Sequence, residues 1–210
     1  MHLARSTDPK APTRKFTEDT LLLASHNKGK LVELRDLLGD KIPNITSAVD
    51  MNLPEPEETG TTFVDNAVLK ALACMRESGL PSLADDSGLS VTTLDGAPGV
   101  YSARWAGEPR DFNLAMQKVH DAMEDAEDRS ASFVCVLALA WPDGHVETFE
   151  GRIDGNICWP PRGDKGFGYD PIFVPLGDAR SFGEIDFAEK QGMSHRAKAF
   201  KAMIDALFPA

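Results

Sequence analysis

Leu21 to Ala24 form a short apolar block between polar segments and predict a buried strand. From Lys28 onward the apolar residues Leu31, Leu34, Leu37 and Leu38 recur at helical spacing, and Gly39 supplies a stop, so a strand, a polar turn and a helix follow one another. "NITSAV" reads as a second short strand, and "MNLPEPEETGTT" as a loop rich in proline and acid. "FVDNAVLKALACMRES" is periodic enough to predict a helix ending at Gly79. "LPSLADD" and "LSVTTLDG" read as two further strands, the first ending in a pair of aspartates. "GAPGVYSARWAG" is a loop punctuated by Gly and Pro. "DFNLAMQKVHDAMEDAED" is helical, with Asp111 as its N-cap. "SASFVCVLALAWPDGHVETFEGRIDG" predicts two strands joined at Pro142–Gly144. "PRGDKGFGYDPIFVP" is a Gly-rich loop feeding a strand, and "MSHRAKAFKAMIDALF" a terminal helix capped by Ser194. Strands and helices alternate, with a hairpin in the second half. That order predicts an α/β fold with a mixed central sheet flanked by helices.

Composition narrows the picture. A chain of 210 residues, 42% hydrophobic, can bury a substantial core in one domain or two small ones. No apolar run approaches the ~20 residues of a membrane helix. The opening "MHLARSTDPKAPTRKF" lacks the apolar stretch of a secretory signal and is expected to be part of a loose tail over residues 1–19, ahead of a single domain over 20–210. Cys74, Cys135 and Cys158 are odd in number and far apart, which argues against a disulfide framework or a zinc cage and fits a cytoplasmic protein. A net charge of -11 disfavours broad binding to polymeric nucleic acid, which needs a basic surface, yet leaves room for a single nucleotide in a local basic pocket.

Five segments carry candidate chemistry. "SHNKGK" (Ser25, His26, Asn27, Lys28, Gly29, Lys30) lies between strand and helix, where unpaired N–H groups and a partial positive charge suit phosphate. It is not a P-loop, and an ordinary helix cap with solvated lysines explains it equally well. The loop "PEPEETG" offers Glu55, Glu57 and Glu58, which in isolation read as a solvated acidic helix start. Asp85 and Asp86 are adjacent carboxylates, which repel unless a proton, a cation or donors relieve them. Such oxygen ligands suit Mg²⁺, which keeps water and bridges to substrate phosphates. In "GDKGFGYDPIF" three glycines allow close backbone approach, and Phe167 and Tyr169 are candidate stacking surfaces, although packing into the core is the better reading of this loop taken alone. "EKQGMSHRAKAF" places Lys190, His195 and Arg196 around a helix start, where positive charge opposes the helix dipole and so suggests a role other than stability.

In this order the segments "LASHNKGKLVEL", "EETGTTFVDNAVLKA", "ADDSGLSVTTLDGAPGVYSARWAG", "GFGYDPIF" and "EKQGMSHRAKA" resemble the inosine triphosphate pyrophosphatase family, also called XTP/dITP diphosphatases. They span Leu23 to the terminal helix. The resemblance implies a mixed α/β domain of two lobes with the active site in the cleft between them, acting as a homodimer. It implies Mg²⁺-dependent hydrolysis of ITP, dITP and XTP to the monophosphate and pyrophosphate, which removes deaminated purines from the nucleotide pool. Carried onto this chain, Ser25 to Lys30 correspond to the triphosphate-binding turn. Glu57 and Asp86 correspond to the metal carboxylates, with Glu58 an alternative to Glu57, and Asp86 is also the implied proton acceptor. Ser87, Phe167, Gly168, Tyr169, Asp170, Lys190, His195 and Arg196 correspond to substrate contacts.

Lys190 and Arg196 are pure donors, and His195 can donate, so all three suit the carbonyl at C6 of hypoxanthine and xanthine rather than the amine of adenine. Guanine carries the same carbonyl, and no residue is assigned to rejecting it. Two rivals remain at this stage. One is a septum-inhibition-type nucleotide pyrophosphatase acting on ordinary nucleotides. The other is a nucleotide-binding module without catalysis, which would have no use for the carboxylates.

Overall fold

The computed structural model describes residues 14–26, 31, 32, 34, 35 and 38–209. Six strands form one sheet: β1 (Thr20–Leu23), β2 (Asn44–Ser47), β3 (Ser82–Val91), β4 (Ser130–Ala140), β5 (Val146–Ile157) and β6 (Phe173–Pro175). Their order across the sheet is β2-β1-β3-β4-β5-β6. β1 runs parallel to both β2 and β3, whereas β5 and β6 are antiparallel, so the sheet is mixed as expected. Five helices with defined limits accompany it: α1 (Phe63–Ser78), α2 (Ser102–Trp105), α3 (Phe112–Met123), α4 (Phe187–Met193) and α5 (His195–Leu207). Residues 31, 32, 34, 35 and 38 are helical as well. None of the helices among the described residues is long and apolar enough to cross a membrane.

The helix ends follow local chemistry. Thr62 accepts from the Asp65 amide at 3.1 Å to open α1, and Gly79, at φ 71°, closes it with a 2.8 Å bond to the Met75 carbonyl. Asp111 caps α3 as expected, accepting from the amides of Asn113 and Leu114. That helix stops at Met123, short of the expected "EDAED" tail. Beyond Met123 no residue continues the buried stripe, and acidic side chains at a helix C-terminus oppose the dipole. Ser194 ends α4 and caps α5, its hydroxyl accepting from the Ala197 amide at 3.1 Å. The hairpin turn after β4 is closed by Gly144 N–H to Trp141 O at 2.9 Å.

β3 differs from expectation. The two strands read on either side of the aspartates are one continuous ten-residue strand, so Asp85 and Asp86 lie inside it rather than at an end. Both are buried. Charge interrupts an apolar pattern in sequence, but extended backbone continues wherever its ladder bonds are made and the charges find partners.

The chain divides into two compact units, one comprising residues up to Asp86, Val136–Phe149 and those from Phe200 on, the other Ser87–Cys135 and Glu150–Ala199. In the first, Leu21, Leu22 and Leu23 of β1, Leu83 of β3, and Ala67 and Ala71 of α1 are buried. Phe16 joins this core. Its ring lies 6.4 Å from Trp141 and 5.9 Å from Phe208, and its amide donates to Leu207 O at 3.1 Å. Arg14 stacks over Trp141 at 4.7 Å and pairs with Glu18 and Asp143. The stretch 14–19 is therefore anchored rather than loose, a correction to the expected tail boundary; residues before Arg14 lie outside the described residues. The second unit has its own core, in which Leu89, Val91, Met116, Val119, Phe133, Ile172, Phe173 and Phe182 are buried together.

Candidate active site

In the first unit, Lys70 on α1 reaches two carboxylates. Its Nζ lies 2.6 Å from Glu58 Oε1 and 3.5 Å from Asp86 Oδ1. The side chains of Lys70 and Asp86 are nearly buried, at 12% and 11% exposure, and Glu58 is half-buried at 30%. Asp86 Oδ2 and Asn66 Nδ2 are both buried without a hydrogen-bond partner among the described residues. Burial pushes the Asp86 carboxyl above the ordinary range; the charges of Glu58 and Asp85 add to this, while Lys70 and the nearby Asn66 amide oppose it. Burial also works against the Lys70 ammonium, but Asp86, Asp85 and Glu58 outweigh it and raise its pKa. Three carboxylates thus lie around the Lys70 ammonium. Adjacent buried carboxylates, with Asp86 Oδ2 lacking a hydrogen-bond partner among the described residues, suit a divalent cation. No group of three acidic, histidine or cysteine side chains converges into a metal cage among the described residues. Mg²⁺ does not require one, because it takes one or two carboxylates and fills its octahedron with water and phosphate.

The C-terminal end of the acidic loop is held by two contacts to α1. The Gly60 amide donates to Asn66 Oδ1 at 2.8 Å, and Glu58 is tied to Lys70. Glu57 is exposed, and it is Glu58 that the loop turns towards Asp86. Lys70 and Asn66 are site residues that the sequence reading missed. Their signal was present, since two polar residues four apart on α1 flank the buried Ala67 and Ala71. Ser25 and His26 follow β1 directly and are half-buried, and His26 Nε2 donates to Leu53 O at 2.9 Å. Asn27, Lys28, Gly29 and Lys30 lie outside the described residues.

In the second unit the Gly-rich loop gathers a second set. Phe167 is 62% exposed, a large value for an aromatic ring. Lys190 Nζ stands 5.0 Å from the Phe167 centroid and 5.0 Å from Phe182, and Arg196 Cζ stands 5.6 Å from Phe167. Lys190 also pairs with Asp170 Oδ2, which accepts from the Phe167 amide at 2.8 Å. Both charged groups are buried. Gly166, at φ 75°, is needed here, for a Cβ would lie 2.1 Å from Asp170 Oδ2. Asp170 thus fixes Lys190 and the loop backbone, a supporting place rather than an open contact.

Tyr169 is buried, its hydroxyl donating to Ser102 O at 2.8 Å and its ring edge-on to Phe112. Burial pushes its phenol pKa up, which keeps that hydroxyl a neutral donor. Of the loop aromatics, then, Phe167 is presented and Tyr169 is packed. Gly168 takes a positive φ of 68° between them. His195 is buried and stacks on Phe133 at 4.9 Å, with 13° between the rings. Gly151 on β5 lets the start of α5 come close, since a Cβ there would lie 2.0 Å from His195 O. Ser87, the next residue after Asp86, is half-buried in β3.

Comparison with known proteins follows the same lines. The chain is 56% identical over 198 residues to a dITP/XTP pyrophosphatase of Rhodospirillum centenum, covering 93% of this chain and 98% of that protein. It is 53% identical over 213 residues to one from Agrobacterium fabrum, covering 94% and 100%. A HAM1 protein structure from Coxiella burnetii superposes with a TM-score of 0.87 at 41% identity, covering 92% of this chain and all of that one. The family model described as the Ham1 family matches residues 21–206, and the chain belongs to that family.

Proposed function

We propose that this protein is a nucleoside triphosphate pyrophosphohydrolase that cleaves the deaminated purine nucleotides ITP, dITP and XTP to the monophosphate and pyrophosphate, with Mg²⁺. The observation that carries the reading is the buried Asp86 carboxylate, with Glu58, Asp85 and Lys70 beside it and its Oδ2 without a hydrogen-bond partner among the described residues. Relatives named dITP/XTP pyrophosphatase, at 56% and 53% identity over most of the chain, support the substrate class.

Asp86 and Glu58 would hold the metal. When bound, Mg²⁺ supplies positive charge to phosphate oxygens and acidifies water. Asp86, at the side of the attacking water, is the proton acceptor in this reading. Lys70 holds the two carboxylates in register and offers an ammonium to developing negative charge. The Ser25–Lys30 turn receives the triphosphate. Phe167 supplies a stacking face for the purine, and Lys190 and Arg196 supply donors for its 6-oxo edge.

The deciding assay is pyrophosphate release from ITP, XTP, GTP and ATP, with and without Mg²⁺. Release confined to ITP and XTP, and lost on chelation, is the expected result; pyrophosphate release that ignores the base or persists in chelator rejects the reading. The family resemblance further supports a homodimer, and light scattering at the 22.8 kDa of one chain would refute it. None of the three cysteines forms a disulfide, which fits a cytoplasmic place.

A further inference from the structure

We propose that His26 is a positioning residue that clamps the acidic loop, so that the end of β1 and the Glu58 carboxylate are set as one piece. The inference rests on the proposed role of Glu58. Leu53 opens the loop and is pinned through both backbone groups. Its N–H donates to Ala48 O at 2.9 Å, and its carbonyl accepts from His26 Nε2 at 2.9 Å. A carbonyl only accepts, so Nε2 carries the hydrogen, and the bond survives whether the ring is neutral or protonated. Ala48 N–H in turn donates to Leu23 O at 2.9 Å, which ties the same turn back to β1.

From Leu53 the chain runs through Pro54 and Pro56 to Glu58. Each proline fixes its own φ, and each restricts the residue before it, so Leu53, Pro54, Glu55 and Pro56 are all confined. A stiff span of this kind transmits orientation. Fixing Leu53 aims the segment, and the far end meets Lys70 through Glu58 at 2.6 Å and Asn66 through the Gly60 amide at 2.8 Å. His26 also belongs to the segment "SHNKGK", directly after β1. One imidazole thus links the chain just after β1 to the loop that carries a proposed metal carboxylate. With Nε2 committed to Leu53, His26 acts on catalysis through the loop rather than through that nitrogen on phosphate.

The test uses the full-length protein free of metal and nucleotide, as wild type, His26→Phe and His26→Gln. Phenylalanine keeps the ring volume without the donor, and the glutamine amide can donate to the same carbonyl. Hydrogen–deuterium exchange over residues 53–60 is expected to quicken about tenfold in His26→Phe, the scale of one lost hydrogen bond, and to return towards wild type in His26→Gln. In turnover, His26→Phe should lower kcat and raise the Mg²⁺ needed for half-activity about tenfold, with KM for ITP within about twofold and His26→Gln restoring both. Unchanged exchange at 53–60, or quickening that spreads through β1 and α1, overturns the clamp. A raised KM for ITP over an unaltered loop overturns it in favour of direct phosphate contact. Because the exchange arm needs no substrate, failure of the pyrophosphatase reading and failure of the clamp give different results.

Discussion

Asp86 Oδ1 stands 3.5 Å from Lys70 Nζ, a separation at which the ammonium relieves the carboxylate only in part. The second oxygen, Oδ2, has no hydrogen-bond partner among the described residues, and Glu58 and Asp85 press on the same region. A carboxylate held in this way costs stability and is ready to take a proton or a cation.

Asp86→Asn should therefore stabilise the metal-free protein while removing activity. The folded Asp86 pKa is raised, so the native state binds more protons than the unfolded one as pH climbs through the window above the ordinary 3.8. Stability falls across that window and stays reduced above it. Asparagine removes this penalty, so at pH 7.5 without Mg²⁺ the variant should melt a few °C higher, each kcal/mol being worth about 2–4 °C in a domain of this size. The gain should vanish as pH approaches the ordinary carboxylate range. Mg²⁺ should raise the wild-type Tm and leave the variant unmoved, and pyrophosphate release should fall about 10²–10⁴-fold. A variant that melts lower at pH 7.5, or turns over normally, contradicts this account.

Lys70→Met should do the reverse. The folded Lys70 pKa is raised, so its stabilising contribution is fully present below the ordinary 10.5 and is lost only as pH rises through the raised value. At neutral pH, removing the ammonium takes away a counter-charge that Glu58, Asp85 and Asp86 share. Breaking one partner out of a nearly buried ion pair costs about 3–5 kcal/mol. Part of that loss should return at pH 5, where Asp86 protonates more readily, and part on adding Mg²⁺. Urea midpoints at pH 5 and pH 8, with and without Mg²⁺, measure both; a loss that neither acid nor metal recovers would place Lys70 outside the site.

Gly151→Ala tests how the base-binding residues are held. A Cβ at Gly151 would lie 2.0 Å from His195 O and 2.3 Å from Ala199 N, backbone atoms that cannot swing aside. The start of α5 must shift, at a cost of about 1–3 kcal/mol or more. Because Arg196 follows His195 on that helix, kcat/KM for ITP should fall together with the urea midpoint. An unchanged midpoint would mean that β5 and α5 part without cost.

Much of this was legible before the structure, and what escaped did so for identifiable reasons. Gly79, Asp111 and Ser194 act within a few residues of themselves, so local sequence was enough to place the helix ends they mark. Phe16 escaped because its burial depends on Trp141 and Phe208, far along the chain, and an isolated aromatic in a polar segment carries no periodicity. β3 was divided at Asp85–Asp86 because the cation that makes their burial tolerable, Lys70, sits on another element. Phe167 and Tyr169 are two residues apart in one loop and have opposite fates, decided by the Ser102 carbonyl that receives the Tyr169 hydroxyl.

Base selection can be tested only with variants that respect the Asp170–Lys190 pair. Lys190→Ala alone would leave a nearly inaccessible Asp170 carboxylate without its counter-charge, and any loss of activity would mix recognition with collapse of the 166–170 loop. Combining Asp170→Asn with Lys190→Met avoids this. The asparagine carbonyl can still accept from the Phe167 amide, as Asp170 does at 2.8 Å, and no charge is left buried. Hypoxanthine and xanthine offer an acceptor at C6 and adenine a donor, so losing an ammonium facing that edge should harm ITP and leave ATP little changed. The ITP-to-ATP ratio of kcat/KM should narrow about tenfold to a hundredfold in the double variant, and likewise in Arg196→Ala. GTP shares the 6-oxo group and should follow ITP in direction. Phe167→Ala should instead weaken every purine by about 1–3 kcal/mol, because stacking is indifferent to the base edge. If the double variant and Arg196→Ala depress ITP, XTP, GTP and ATP equally, these cations serve the phosphates or the fold, and selection of the 6-oxo edge lies with other residues.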